Sequence, residues 1–570
     1  MSSFLAGLRC RLFALALLAA APAAGAAGVT VEAPAAIADF LTPYLAAGDA
    51  GADPEQARRR IHKRVPELLA TEGYFSPVLV FADDDAGLRV SVEPGPRTLV
   101  AAVDITITGH IDPEQRQALI ADWSLAVGRP FRQAEWSAAK EGLLARLIAV
   151  DHPGATLQDS RAEIDPDART ARLAVSVDAG PVYRFGELKI DGLLRYTPEL
   201  VARYNDSVSP GDNYSEEKLA LLQRHLQATP YFSSVQVEID REGEPGSDGT
   251  VVAPVQLRLR EAPPHRLGFG VGASSNTGAR VEVNYRTADL FRQAWELSSG
   301  LRLEQKKQTA YADVFLPPDA LRYRHSFGAL VEQTDIEGLR TERASVGAQR
   351  VQQRGQVEMR LALNWEEEKK FPDGVPASSD HALVANGTWT WRHVDNLLDP
   401  RRGQVLQAEV GGAAKALLSD RDFLRLHGRG QLYFPLGQRD TLSLRGEIGY
   451  TFAASRQGIP QDYLFRAGGT GSVRGYAYQS LGVREGVATV GGRYMATVSA
   501  EATHWLNAQW GVAAFVDAGD AVDDLHNVRL ARGYGLGARW RSPAGPIGAD
   551  LAYGERTGGV QLHFSLAIPF

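Results

Sequence analysis

The chain has 570 residues and one cysteine, Cys10. That cysteine stands before an apolar stretch that reads as a secretory leader: Arg9 and Arg11 supply a basic start, Leu12–Ala21 the apolar region, and Ala24-Gly25-Ala26 a small-x-small cleavage site. Cleavage after Ala26 is expected to leave a chain without thiols, which excludes disulfide frameworks and cysteine catalysis. Nor is Cys10 placed for lipidation, since it precedes the apolar region. After the first thirty residues no apolar run is long enough to form a transmembrane helix, although barrel strands need none. An excess of basic charge is also missing. The net charge of −7 is spread along the chain and argues against a nucleic-acid partner.

The motifs of enzymes are absent as well. Twelve histidines show no H-E-x-x-H spacing, and no G-x-S-x-G elbow or phosphate-binding loop occurs. Gly469-Thr-Gly-Ser-Val-Arg474 fails the dinucleotide fingerprint because arginine occupies the third glycine position. No enzymatic activity, cofactor or metal site is expected.

What is present first is a repeat. Leu88-Arg-Val-Ser-Val-Glu-Pro-Gly-Pro96 recurs as Leu173-Ala-Val-Ser-Val-Asp-Ala-Gly-Pro181 and more loosely as Val255-Gln-Leu-Arg-Leu-Arg-Glu-Ala-Pro263, a period of about eighty residues. Gly73-Tyr-Phe-Ser76 before one strand matches Pro230-Tyr-Phe-Ser233 before another, whereas the middle copy has Val150-Asp-His-Pro153. Helix starts are signalled by Asp53-Pro54, Asp112-Pro113 and Thr197-Pro198. Helical apolar spacing follows at Ile61, Val65, Leu68 and Leu69, at Leu143, Leu144, Leu147 and Ile148, and at Leu219, Leu222 and Leu226. Each copy reads as strand–helix–helix–strand–strand. Arg58, Arg59, Arg60, Lys63 and Arg64 crowd one helix; a solvated face is the plain reading, a docking patch for an acidic partner or lipid headgroups the sharper one.

From His265 onward period-two alternation replaces helical spacing, and about sixteen strands are expected. Leu267, Phe269, Val271 and Ala273 form one face of the first. Val560, Leu562, Phe564, Leu566, Ile568 and Phe570 form one face of the last. Pro569 has no amide to donate and belongs at an edge, so the first and last strands are expected to meet at a weak seam marked by Leu267, Phe269, Leu566, Ile568 and Phe570. Seven of the nine tryptophans fall in this half.

Parity singles out one loop. Tyr494, Ala496, Val498 and Ala500 alternate with Thr497, Ser499 and Glu501, and Trp510, Val512, Ala514 and Val516 alternate with a set ending in Asp517. Glu501 and Asp517 therefore lie opposite the apolar face, on the lumen side of a lipid-embedded barrel. Gly468-Gly-Thr-Gly-Ser-Val-Arg-Gly-Tyr476 carries Arg474, the obvious cation to meet them, on glycines that allow close approach. The plain alternative is a solvated arginine.

The eighty-residue units resemble POTRA domains. With the loop motif Val473-Arg474-Gly475-Tyr476, Phe515-Val-Asp-Ala-Gly519 on a later strand and Asp399-Pro-Arg-Arg-Gly403, the chain resembles the BamA/TamA outer-membrane assembly superfamily. Three units rather than five resemble its TamA branch. The C-terminal strand ending in phenylalanine is similar to the assembly signal of outer-membrane proteins. The resemblance implies a signal peptide over 1–26, POTRA domains over 27–97, 98–181 and 182–263, and a transmembrane β-barrel over 264–570. It implies a Gram-negative outer membrane with periplasmic POTRA domains. It further implies an inner-membrane-anchored TamB-like partner, unfolded outer-membrane proteins and autotransporters as clients, and outer-membrane lipid as surroundings. In that family the loop arginine sits in the lumen against strand acids, which maps onto Arg474, Glu501 and Asp517. The nearest rival is a two-partner secretion (TpsB-type) pore exporting one dedicated protein, a class that carries two POTRA domains rather than three.

Overall fold

The computed structural model describes residues 28–46, 54–84, 87–243, 245–247, 249–542 and 545–566. The leader expected over 1–26, with Cys10, lies outside the described residues, as do Ile568, Pro569 and Phe570. The chain divides into two compact units, Met1–Lys189 with Val208–Ala220 and Glu238–Val255, and Ile190–Ser207 with Leu221–Val237 and Gln256–Phe570.

Three small α+β motifs come first, each with two helices and a three-stranded sheet. The first has β1 (Gly28–Glu32), α1 (Ala35–Ala46), α2 (Pro54–Thr71), β2 (Val78–Asp84) and β3 (Gly87–Glu93), with sheet order β1-β3-β2. The second has β4 (Leu99–Thr108), α3 (Pro113–Ala121), α4 (Gln133–Ala149), β5 (Thr156–Asp165) and β6 (Thr170–Asp178), ordered β4-β6-β5. In both, the last strand is central, parallel to one neighbour and antiparallel to the other. The third has β7 (Val182–Asp191), α5 (Pro198–Tyr204), α6 (Glu216–Gln227), β8 (Phe232–Ile239) and β9 (Thr250–Glu261), ordered β7-β9-β8.

The helical spacing marks the buried faces. Ile61, Val65 and Leu69 are fully buried in the first core, where Val90 and Val92 meet them. Leu143, Leu147 and Trp136 fill the second with Leu173, Val175 and Val177. Asp112 caps α3 as a side-chain acceptor for the Glu114 and Gln115 amides. Thr197 makes no such cap on α5; its hydroxyl engages the Glu199 carboxylate instead. In the middle motif, Asp151 adopts φ 63° and the adjoining His152 is buried, so a histidine sits where the other copies have an aromatic turn. Arg58 on α2 is drawn to Glu55 and Asp83, while Arg59, Arg60, Lys63 and Arg64 are exposed on the same helix.

The remainder is a sixteen-stranded antiparallel sheet, curled into a nearly closed barrel. Its strands are β10 (His265–Ser274), β11 (Gly278–Leu290), β12 (Trp295–Glu304), β13 (Lys307–Phe315), β14 (Arg324–Ile336), β15 (Leu339–Arg354), β16 (Val357–Pro372), β17 (Ser378–Val394), β18 (Gly403–Ala413), β19 (Phe423–Leu436) and β20 (Asp440–Phe452). A long loop carrying the short hairpin β21 (Val483–Glu485) and β22 (Ala488–Val490) interrupts the series. It resumes with β23 (Tyr494–Trp505), β24 (Trp510–Val522), β25 (Ala531–Ser542), β26 (Gly545–Gly554) and β27 (Gly559–Leu566). Alternation decides the faces. Val498, Val516 and Ile448 are 60%, 58% and 66% exposed on the outside, while Thr497, Ser499 and Asp517 are buried within. An apolar exterior around a polar interior is the inverse of a soluble protein and suits a hydrocarbon solvent.

β10 and β27 stand at the two ends of the strand order, and among the described residues no ladder bond joins them. Near this interval the Phe564 amide, on β27, donates to the hydroxyl of Ser275, just after β10, at 3.1 Å. The staves differ in length: β10 and β13 have 10 and 9 residues, β16 and β17 have 16 and 17. Two turns at the β10 entrance hold the third α+β motif. Tyr231 donates its hydroxyl to the Ala294 carbonyl at 2.8 Å. Arg322, from the β13–β14 turn, donates to the Arg203 and Asn205 carbonyls at 2.6 Å each, satisfying acceptors left over at the end of α5.

Candidate functional site

Residues 453–493, between β20 and β23, fold into the barrel from the end opposite that at which β10 begins. Their outer part is tied to neighbouring turns: the Thr489 amide donates to the Glu337 carbonyl at 2.9 Å and the Val487 amide to the Asp373 carbonyl at 3.1 Å. Their base rests on the wall through Asp462, ion-paired with Arg343 of β15, and through the Gln461 amide on Glu368 at 3.0 Å. Phe465, Ala467, Val473, Tyr476 and Leu481 form an apolar knot against Met495, Ala521 and Ala531.

The tip, 468–476, is a tight turn. The Gly469 amide donates to the Val473 and Tyr476 carbonyls at 3.2 and 3.1 Å, and the Gly468 amide to the Ser472 hydroxyl at 2.7 Å. This curl leaves Arg474 pointing into the wall. Gly475 has φ +88°, and a Cβ there would stand 2.7 Å from the Gly554 amide nitrogen, so a side chain is excluded by both conformation and space. Gly533 is constrained from the other side, since its Cβ would fall 1.8 Å from the Arg474 carbonyl oxygen.

Arg474 is the hub. Its Nε and Nη2 bind the two carboxylate oxygens of Asp517 at 2.7 and 3.0 Å, a bidentate pair, and its own amide donates to the same carboxylate at 3.0 Å. Nη1 reaches Glu501 at 2.7 Å and Asp550 at 3.0 Å. The guanidinium carbon lies 3.4 Å from the centroid of the Phe515 ring, which covers one flat face. Arg539 completes the lattice, donating to Glu501 at 2.7 Å and to Asp550 at 2.5 Å. Glu501 and Asp550 are thereby each shared between two guanidiniums, Arg474 on one carboxylate oxygen and Arg539 on the other. Asp517 is wholly buried and Arg474 nearly so. Desolvating such charges is costly, and the arrangement holds because each has oppositely charged partners in hydrogen-bonding geometry.

The structure thus brings Arg474, Glu501 and Asp517 to one point. Val473 is buried in the knot, and Tyr476 donates its hydroxyl to the Arg532 carbonyl at 3.0 Å while accepting from the Arg556 amide at 2.9 Å. Leu267 and Phe269 lie on the outer face of β10, 62% and 77% exposed. Leu566 pairs with Ile547 across β26 and β27. Sequence reasoning missed Asp550, Arg539, Phe515 and His563 as members of the site. For Asp550 the signal was there: it alternates with Ile547, Ala549 and Leu551 as Asp517 alternates with Val516.

The tip also reaches both terminal strands. The Gly475 amide donates to Nε2 of His563 on β27 at 3.0 Å, and Asn276, in the turn after β10, donates to the Thr470 hydroxyl at 3.3 Å. The tip of the loop therefore touches both β27 and the turn after β10. Among the described residues no group of three His, Cys, Asp or Glu side chains is arranged to hold a metal ion. Glu501, Asp517 and Asp550 are each engaged by arginine, which makes the cluster a lattice of ion pairs.

Comparison with known proteins agrees with this architecture. Residues 264–570 match the Omp85 superfamily domain. The outer membrane protein assembly factor BamA of Neisseria meningitidis serogroup B is 25% identical over 377 residues, covering 59% of this chain and 45% of the relative. BamA of Nitratidesulfovibrio vulgaris is 25% identical over 377 residues, covering 61% of this chain and again 45% of the relative. The chain thus spans about half the length of these curated relatives. The crystal structure of BamA from Haemophilus ducreyi lacking POTRA domains 1–3 superposes with a TM-score of 0.67 at 17% identity, covering 82% of this chain and 99% of that one. With more than half of its residues matched by that domain, the chain belongs to the Omp85 superfamily.

Proposed function

We infer that the protein is an outer-membrane assembly factor of the TamA kind. It inserts β-barrel proteins and autotransporters through the interval between β10 and β27, with an inner-membrane-anchored TamB-like partner. Three periplasmic POTRA domains, bounded near residues 97, 181 and 263, receive clients before the barrel. Relatives named as outer-membrane assembly factors support this reading. The observation that carries it is that, among the described residues, no ladder joins β10 and β27, while a loop anchored at Arg474 touches both β27 and the turn after β10.

The physical logic is non-enzymatic. A strand edge with unpaired amides and carbonyls is a template for an incoming strand. In hydrocarbon those groups have no water to satisfy them, so an arriving client strand relieves a cost that closure otherwise relieves. The Arg474 lattice holds β23–β26 in place while the edge works. The short staves on the β10 side, β10, β12 and β13, reduce the apolar height there and with it the barrier to insertion.

The test is a disulfide between β10 and β27, with client assembly followed in membranes before and after reduction. Assembly that stops when the edge is locked and returns on reduction supports the reading. Full activity of the locked protein overturns it.

A further inference from the structure

We propose that the β7–α5 loop, residues 192–195, is a membrane anchor that seats Leu194 in the periplasmic lipid leaflet beside β10. The proposal rests on the reading of the β10–β27 barrel as lipid-embedded.

Leu194 is 90% exposed, a state for a large aliphatic side chain that is unremarkable in a mobile loop and informative in a rigid one. Here the loop is held from within. One oxygen of Glu261 accepts from the amides of Leu194, Arg195 and Tyr196 at 2.9, 2.8 and 3.2 Å. Its other oxygen takes Arg195 Nε at 2.8 Å, and Arg195 Nη2 donates onward to the Ala262 carbonyl at 2.5 Å. Gly192, at φ +91°, lies so close to β9 that a Cβ would stand 1.9 Å from the Leu259 carbonyl oxygen. A buried carboxylate and a glycine contact thus present an apolar side chain outward.

The address of that side chain names its occupant. Glu261 is the last residue of β9, and four residues later β10 begins, its outer row Leu267, Phe269 and Val271 being 62%, 77% and 87% exposed. Six residues separate Glu261 from Leu267, at most about 21 Å of extended chain. The loop that carries Leu194 is thereby tied, within a short length of chain, to the start of the outward-facing row of β10. Turns at the same end of the barrel carry exposed apolar residues of their own, Phe291, Leu321 and Leu397 at 77%, 70% and 62%. Exposed apolar side chains thus recur among the turns at this end of the barrel. Through Glu261 the anchor is tied to the chain that enters the edge strand.

The test uses full-length protein in bilayer nanodiscs, with Cys10→Ser and one of Leu194→Cys, Ile448→Cys or Val127→Cys, each labelled with an environment-sensitive fluorophore. Ile448 lies on the outer barrel face and Val127 is an exposed residue after α3. With brominated phospholipid, emission at 194 should fall about as much as at 448, with no loss at 127. Loss at 448 but not at 194 overturns the anchor and leaves the barrel reading intact. No loss at 448 overturns the barrel reading and the anchor with it. Shielding of 194 from aqueous iodide without quenching by brominated lipid means that protein covers it, which also overturns the anchor.

Discussion

The amide of Gly475 and Nε2 of His563 meet at 3.0 Å, joining the tip of a loop rooted between β20 and β23 to the last described strand. One residue away, Arg474 is locked to Asp517 of β24. The loop therefore carries two attachments of different strength side by side: an ionic one to the fixed wall and a single neutral hydrogen bond to the edge. Neutral hydrogen bonds contribute about 1 kcal/mol, and severing a buried charge network costs several times that. The edge contact is the one that yields first.

Arg474→Ala leaves Asp517 buried without its bidentate partner, and about 3–5 kcal/mol of stability should be lost. Arg474→Lys keeps the charge but not the fork, so it should rescue only part of the loss. Heat-modifiability on semi-native gels, together with urea unfolding of the membrane-reconstituted protein, reads both. Wild-type behaviour of the alanine variant would count against the lattice.

The loop's two ionic anchors differ in burial, and so should their energies. Asp517 is wholly buried, whereas the Asp462 side chain is 53% exposed. Asp517→Ala should cost about 3–5 kcal/mol. Asp462→Ala should cost less than about 1 kcal/mol, because Arg343 keeps Glu332 at 3.1 Å and the lost pair is solvent-screened. Equal losses in the two variants, measured by the same urea unfolding, would contradict the assignment of strength by burial.

His152, in the second α+β motif, gives a pH dependence. Its Nδ1 donates to the Pro181 carbonyl at 3.3 Å, Nε2 has no partner, and burial pushes the imidazole pKa down. The unfolded chain therefore takes up the proton first. Stability is complete above the unfolded value of about 6.5 and falls as pH drops below it, by up to about 1.4 kcal/mol per pH unit. Hydrogen-exchange protection factors of residues 98–178, corrected for the pH dependence of intrinsic exchange, should fall between pH 7.5 and 5.5 in the native protein. In His152→Gln that fall should be smaller.

Local rules carried much of this architecture. Three repeats of one motif were visible because each must bury the same helix stripe, so Ile61, Leu143 and Leu222 recur in step. The barrel was visible because a strand between lipid and lumen has to alternate, which placed Glu501 and Asp517 inside from β23 and β24 alone. The basic run on α2 was visible too, and its exposed face stays compatible with plain solvation.

Tertiary structure decided the rest. Arg539, Asp550 and His563 lie on three separate strands, and nothing in a strand's own alternation says which lumenal residues meet across a curved wall. That depends on stagger and on how deep the loop reaches. Alternation determines the face a side chain takes, since successive residues point to opposite sides of a strand; closure of the sheet determines its partners, since only closure brings distant staves to one point.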